Sequence, residues 1–149
     1  MVDTATQLNS VGATLGGMSC VHAMTDVTGF ALLGHLLEVC RGSRLAAELD
    51  FAALPFLSVA LRLAEQGYST GAADRNWSSY GAEVKLPPGF PEWKRKLLCD
   101  PQTSGGLLVA CAASEAEKVL AIFHEQGFAA ACVIGKMVSD NPQARIGFL

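Results

Sequence analysis

The clearest helical pattern in the chain follows the segment TDVTGF. Apolar side chains after it recur at three- and four-residue spacing, which places them on one face of a helix: Phe30, Leu33, Leu36, Leu37 and Cys40. This spacing predicts a helix from Gly29 to Arg41, with Gly42 placed to end it. Upstream, residues 7–18 are rich in Gly and Ala, and their weak periodicity predicts a short helix.

Alternating helix and strand signals predict the rest of the fold. Helices are predicted over PFLSVALRLAEQG, which ends at Gly67, over PEWKRKLL, which starts at Pro91, and from the capping-box pair Ser114 and Glu117 to Gln126. Strands are predicted over five apolar stretches: Leu45–Leu49, AEVKLPP, GGLLVACAA, FAAACVIGKMV and ARIGFL. Residues 69–82 are predicted to be a long loop, either functional or simply a flexible surface connection. The order α-β-α-β-α-β-α-β-β favours a layered α/β sandwich with a mixed sheet.

Length and composition narrow the class of protein. A chain of 149 residues fits one domain, and although half of its residues are hydrophobic, no apolar run is long enough to span a bilayer. The apolar excess predicts a surface that another domain or subunit covers, or else a core rich in Ala and Leu. The N-terminus has no secretory signal pattern, so a cytoplasmic location is expected. The net charge of −3 arises without a basic stripe, which argues against a nucleic-acid partner.

The cysteines and histidines give no metal-binding pattern. The five cysteines lack any C-x-x-C pair and lie mostly in apolar stretches such as VACAA, so they are interpreted as reduced core residues. None of the three histidines belongs to an H-E-x-x-H motif, which predicts structural or exposed roles for them.

The first candidate site is the segment that precedes the helix at residue 29. Thr25, Asp26, Thr28 and Gly29 gather a carboxylate, hydroxyls and backbone N–H groups where a helix dipole is positive. Taken alone, Asp26 is expected to cap the helix, which is worth about 1 kcal/mol. The alternative is that its carboxylate binds a Mg²⁺ ion that bridges to phosphate.

The second candidate site lies in LLCDPQTSGGLLVAC, where residues 100–106 separate two apolar runs. The paired glycines allow close approach of an anion, and Gln102, Thr103 and Ser104 offer an amide and two hydroxyls. The alternative is an ordinary tight connection into a strand. Neither a Walker loop, a dinucleotide fingerprint nor a G-x-S-x-G motif occurs in the sequence.

TDVTGFALLGHLLE and LLCDPQTSGGLLVA together resemble the two signature stretches of the C-terminal domain of the selenophosphate synthetase (selenide, water dikinase) family. The resemblance runs from Leu8 to the C-terminus, with NWSSYG, VIGKMV and RIGFL in matching order. Two long motifs in the right order are far more specific than either one alone. The two motifs match the related thiamine monophosphate kinases and aminoimidazole ribonucleotide (AIR) synthetases less well.

The resemblance implies a fold, a reaction and separate roles for two domains. It implies an α/β/α layered domain, partly ferredoxin-like, at residues 21–149, with residues 1–20 as a segment connecting to an absent N-terminal domain. The family converts ATP, selenide and water into selenophosphate, AMP and phosphate, and forms dimers through the N-terminal domain. That domain supplies the reactive Cys or selenocysteine, an essential Lys and metal-binding aspartates, so no catalytic residue is expected here.

The resemblance also implies roles for individual residues. By motif position Asp26 is a Mg²⁺ ligand, while Thr28 and the Gln102, Thr103 and Ser104 loop are expected on the phosphate side of bound ATP. Ala31 stands where the family usually has Gly, a change inside the predicted helix that is expected to raise helix propensity, and GAADRN at residues 71–76 departs from a more glycine-rich loop. Alone, the chain is expected to be inactive. The alternative is a non-catalytic ligand-binding or regulatory module that kept the fold.

Overall fold

A computed structural model describes residues 6–149 of the chain, and residues 1–5 of the predicted connecting segment lie outside the described residues. The α-helices are α1 (Val11–Leu15), α2 (Ala31–Ser43), α3 (Ser58–Glu65), α4 (Gly71–Tyr80), α5 (Glu92–Leu98) and α6 (Ala116–Glu125). The strands are β1 (Val21–Asp26), β2 (Leu45–Leu49), β3 (Leu107–Cys111), β4 (Gly135–Ser139) and β5 (Ile146–Phe148). Short 3₁₀ turns occur at Phe51–Ala53, Gly81–Glu83 and Ala113–Glu115.

The strands form two sheets. β1 and β3 pair antiparallel, with Asp26 opposite Leu107. β2 lies at the centre of the second sheet, antiparallel to β4 and parallel to β5. The predicted mixed α/β class and its mixed sheet are therefore confirmed.

Two groups of buried side chains pack the helices against the two sheets. The larger packs α2, α4 and α5 against the three-stranded sheet, with Leu33, Leu37 and Ile146 fully buried. The smaller joins α1 and α6 to the two-stranded sheet, through Val11, Leu15, Val119 and Phe123. Because Val11 and Leu15 are fully buried, α1 is part of the packed unit. The domain boundary at residue 20 stays a prediction.

The C-terminal end of α2 lies further along the chain than predicted. The prediction that Gly42 ends α2 is wrong, because the helix continues through Gly42 to Ser43. Arg44 then adopts the left-handed conformation (φ 54°, ψ 46°) that glycine usually supplies at this position.

The predicted capping box before α6 is also wrong. The residues flanking the 3₁₀ turn and α6 make no side-chain capping hydrogen bond. The chain instead enters α6 through the 3₁₀ turn, which leads directly into the helix.

Strand β1 was not predicted. Its half-buried side chains, at Val21, Ala23 and Thr25, alternate with exposed ones, but Met24 on the exposed face hides the alternation in the sequence.

Two predicted strands are shorter than expected or absent. AEVKLPP forms only the single bridge between Val84 and Ile146, because the prolines that follow cannot donate to a ladder. Within FAAACVIGKMV and the residue that follows it, only Gly135–Ser139 form a strand. They pair with β2, which has five residues, so the strand extends no further.

The segment at residues 69–82 differs most from the prediction. Most of it is helix α4, whose Ala73, Asn76 and Tyr80 are buried at spacings of three and four residues. The prediction of a long structureless loop is therefore wrong.

The cysteine prediction is confirmed in part. All five cysteines are free thiols, and burial raises the pKa of Cys40 to about 11. Cys99 is buried as well, but Cys132 is exposed and is no core residue.

Candidate functional site

Asp26 is the last residue of β1 and does not cap a helix. α2 begins at Ala31, its flanking residue Phe30 makes no side-chain cap, and Asp26 lies upstream of both. The prediction of a helix cap at Asp26 is therefore wrong. The side chain of Asp26 is exposed, and within residues 6–149 no hydrogen bond or ion pair reaches its carboxylate. The carboxylate is thus free to bind a cation.

The structure brings the two candidate segments together. We call residues 27–30, between β1 and α2, the first loop, and residues 99–106, between α5 and β3, the second loop. The backbone N–H of Val27 donates to the Gly106 carbonyl over 3.0 Å, and that of Gln102 donates to the Thr28 carbonyl over 3.1 Å. The pairing of β1 with β3 explains this meeting, since both loops leave the same end of the two-stranded sheet.

A glycine at position 105 is required by the contact between the loops. A Cβ built on Gly105 would lie 1.9 Å from the Val27 carbonyl oxygen, well inside van der Waals contact. The chain upstream also reaches this point, because Asn9 Nδ2 donates to the Gly105 carbonyl over 3.0 Å. The second loop is therefore held from two sides.

In the first loop, Thr28 has a fixed partner. Its Oγ1 lies 3.0 Å from Nε2 of His35, one turn into α2, and the pair is partly buried. This contact orients the hydroxyl, so that either its proton or its lone pairs face outward, depending on which ring nitrogen of His35 bears hydrogen. His35 was expected to be structural or exposed, and its contact with a candidate binding residue was not predicted.

The side chains of the second loop are open to solvent. Gln102, Thr103 and Ser104 are all exposed, and Gln102 Nε2 makes a long 3.3 Å hydrogen bond to the Asp100 carbonyl. Ser104 has a positive φ of 57°, which turns the chain toward the glycine pair. The three residues keep their donors and acceptors available for a ligand, and their binding role stays a prediction.

Helix α4 contributes residues that the sequence analysis missed. Asn76 Nδ2 donates to the carbonyls of Gly29 and Cys99, each over 3.0 Å, and the Tyr80 hydroxyl donates to the Phe30 carbonyl over 2.9 Å. Thr70, just before the helix, donates to the Asp100 carboxylate over 2.7 Å. The three- and four-residue spacing of Ala73, Asn76, Trp77 and Tyr80 was the available signal.

Ala31 adopts a conformation unusual for alanine. Its φ is 60° and its side chain is fully buried. The expectation that alanine here raises helix propensity is therefore wrong, since propensity refers to right-handed helical backbone. Glycine would adopt the same backbone without a Cβ penalty.

The described residues contain one exposed carboxylate at this site and no complete metal centre. Within residues 6–149 there is no group of three or more His, Cys, Asp or Glu side chains that could hold a metal ion. A cation at Asp26 would need further ligands from phosphate oxygens, water or another polypeptide segment. None of the helices in this part of the chain is long and apolar enough to cross a membrane.

These features agree with what sequence comparison finds. The profile of the family "AIR synthase related protein, C-terminal domain" matches residues 5–147, so the chain belongs to this family of mixed α/β domains. Within it, the chain is 51% identical over 146 residues to a selenide, water dikinase of Paraburkholderia xenovorans (strain LB400), covering 98% of the chain and 41% of that relative. It is similarly 50% identical over 147 residues to the Pseudomonas straminea enzyme, covering 99% of the chain and 41% of the relative.

The selenide, water dikinase of Rhizobium meliloti (strain 1021) is 49% identical over 146 residues, covering 98% of the chain and 42% of the relative. The chain thus spans about two fifths of the length of the curated relatives it matches. The resemblance stated from the two motifs is confirmed.

Proposed function

We propose that this chain is the C-terminal domain of an ATP-dependent selenophosphate synthetase, which converts ATP, selenide and water into selenophosphate, AMP and phosphate. The observation that carries the proposal is the direct hydrogen bonding of the two loops, which gathers both family motifs at one end of the β1–β3 sheet. The similarity over nearly the whole chain to selenide, water dikinases supports it.

In this proposal Asp26 supplies one carboxylate of a magnesium site that is completed by an N-terminal domain. Its exposed carboxylate, which has no hydrogen-bond or ion-pair partner in the described part of the chain, fits that role, because a hard cation prefers oxygen ligands and often takes only one or two carboxylates besides phosphate. When bound, Mg²⁺ would neutralise charge on the polyphosphate during phosphoryl transfer.

The chain's own residues would bind and orient the nucleotide. Thr28, with its hydroxyl direction set by His35, and the donors of Gln102, Thr103 and Ser104 would contact phosphate oxygens. Close pairing of the loops keeps these donors beside the aspartate. The domain would act with the N-terminal domain in a cytoplasmic homodimer, with no nucleic acid or membrane as partner.

A titration of the whole enzyme with Mg-ATP tests the role of Asp26. Calorimetry should show weaker magnesium-dependent nucleotide binding for Asp26→Asn than for the parent, with turnover lost. Circular dichroism should show an unchanged fold, because the side chain is exposed and its carboxylate makes no hydrogen bond or ion pair within residues 6–149. Parental binding and turnover in the variant would refute the proposed role.

A second experiment tests the division of labour between the domains. The 149-residue chain alone should form no AMP from ATP in the presence of selenide, because the nucleophile is proposed to lie in the N-terminal domain. Adding that domain as a separate polypeptide should restore some activity. Selenide-dependent AMP formation by the isolated chain would contradict this part of the proposal.

A further inference from the structure

Asn76 is a buried amide that joins the two loops. Only 9% of the residue is exposed, and its Nδ2 lies 3.0 Å from the carbonyl oxygens of both Gly29 and Cys99. Gly29 belongs to the first loop and Cys99 opens the second. Because both partners are acceptors, the amide nitrogen and not the oxygen must face them, and both of its N–H groups are used.

Tyr80 adds a second contact from the same face of α4. It lies four residues after Asn76, and its hydroxyl donates to the Phe30 carbonyl over 2.9 Å. Burial raises the pKa of Tyr80, so the hydroxyl stays protonated and able to donate at neutral pH. The ring packs against α2 at Gly34, where an added Cβ would come within 3.0 Å of the ring.

Helix α4 is itself held firmly on α5. Arg95 donates to the Asp74 carboxylate over 3.0 Å, and its guanidinium lies 5.3 Å from the centre of the Trp77 ring. The Arg95 guanidinium lowers the pKa of Asp74, which keeps the ion pair intact at neutral pH. The donors of Asn76 and Tyr80 therefore project from a supported helix.

We propose that Asn76 is a positioning residue that fixes the separation of the two loops, and with it the placement of Asp26 and Thr28 relative to residues 102–104. This inference rests on the proposed function, in which both loops contact Mg-ATP. Only two direct backbone hydrogen bonds join the loops within residues 6–149. The Asn76 amide supplies two more contacts at their outer ends, where the first loop enters α2 and the second loop leaves α5.

Mispositioning and simple loss of stability predict different kinetics. If Asn76 only supported the fold, its substitution would lower the amount of active enzyme, and the apparent KM for Mg-ATP would stay unchanged. If it sets the loop geometry, correctly folded enzyme would bind Mg-ATP less well, and the apparent KM would rise.

The test compares Asn76→Leu, Asn76→Ser and Tyr80→Phe in the whole enzyme, with Ser78→Ala as the matched control. Leucine keeps the branched shape of Asn76 at a larger volume and without its donors, whereas serine keeps one donor on a shorter side chain. Ser78 lies on the exposed side of α4, and within residues 6–149 its hydroxyl bonds only to the Asp74 carbonyl of the same helix. We expect the KM for Mg-ATP to rise about tenfold in Asn76→Leu, and less in Asn76→Ser and Tyr80→Phe. Ser78→Ala should match the parent.

The outcomes separate this inference from the proposed function. Parental KM in the folded fraction of Asn76→Leu overturns the positioning role, and if that variant does not fold, parental KM in Asn76→Ser overturns it. Asp26→Asn is measured in parallel. If Asp26→Asn loses turnover while the Asn76 variants keep the parental KM, only the positioning role is overturned. Parental turnover and magnesium dependence in Asp26→Asn overturn the part of the proposed function in which Asp26 binds magnesium, whatever the Asn76 variants do.

Discussion

The α-carbon of Gly105 approaches the carbonyl oxygen of Val27 so closely that an added Cβ would lie 1.9 Å from that oxygen. This contact lies between the two hydrogen bonds that join the loops, from Val27 to Gly106 and from Gln102 to Thr28. A glycine in a loop is often only a turn residue, but here it permits two candidate ligand-binding segments to touch. The contact therefore links the sequence of the second loop directly to the position of the first.

Gly105→Ala should separate the loops, whereas Gly106→Ala should not. The methyl group on residue 105 forces one loop to move, and we expect the free energy of unfolding to fall by about 1–3 kcal/mol. No atom of the described residues lies within 4 Å of a Cβ added to Gly106, so alanine there should change stability by about 0.5 kcal/mol or less. Urea denaturation of both variants measures the difference. Equal stability of the two would contradict the close approach.

The end of α2 predicts two stabilising substitutions. Gly42 lies inside the helix with nothing within 4 Å of an added Cβ, so Gly42→Ala should stabilise the protein by about 0.5–1 kcal/mol. Exposed Arg44 has a left-handed backbone, so Arg44→Gly should stabilise it by about 1 kcal/mol. Thermal unfolding of each variant tests this. A destabilised Gly42→Ala would instead indicate that Gly42 ends the helix.

The pairing of Thr28 with His35 predicts coupled effects on nucleotide binding, if the proposed function holds. Thr28→Val and His35→Leu should each raise the apparent KM for Mg-ATP about two- to tenfold, because each removes the oriented hydroxyl contact. The double variant should be no worse than Thr28→Val, since both changes remove one interaction. Exposed His22, in β1, gives the control His22→Gln, which should match the parent. Additive effects in the double variant would contradict the coupling.

Glu83 predicts a pH dependence of stability. It accepts hydrogen bonds from Arg41 and Arg145, and the Arg41 contact is the main reason that its pKa is lowered. Because the pKa of Glu83 is lowered in the folded state, its ionised carboxylate stabilises the fold at any pH above the ordinary glutamate pKa of 4.5. This stabilisation is lost as the pH falls through the lowered pKa. Glu83→Gln should therefore be less stable than the parent at pH 7, by about 1 kcal/mol.

The difference between Glu83→Gln and the parent should shrink as the pH falls below 4.5. Urea denaturation across this range measures it. Glu38 also bonds to Arg41, but its side chain is 70% exposed, so Glu38→Gln is the control and should have little effect at pH 7. A constant difference between Glu83→Gln and the parent at every pH would contradict the assignment.

Sequence patterns predicted the elements in which apolar side chains occupy the buried positions. α2 was found because its apolar residues recur at regular helical spacing, and β2 because LAAEL is a stretch of strand length between two predicted helices. α4 was missed because its buried face is Ala73, Asn76 and Tyr80, a small residue and two polar ones. Their burial is favoured by hydrogen bonds to carbonyls in two distant loops, and nothing within residues 71–80 reveals those acceptors.

For the site, the sequence pointed to two segments that the structure brings together, but it assigned Asp26 the wrong local structure. A carboxylate shortly before a helical pattern suggests a cap, yet Asp26 ends a strand that forms only because β3 pairs with it from far along the chain. Local propensity cannot reveal such pairing, since its stabilisation comes from the partner strand.

The sequence by itself determined the mixed α/β class, the helix after TDVTGF and the family to which the chain belongs. These features depend on local periodicity and on the residues of two motifs. Only the tertiary structure decided that the motifs touch, that Gly105 allows it and that Asn76 joins their ends. The physical reason is that each of these contacts involves a backbone group of a distant segment, and a backbone N–H or carbonyl leaves no residue-specific trace in the sequence.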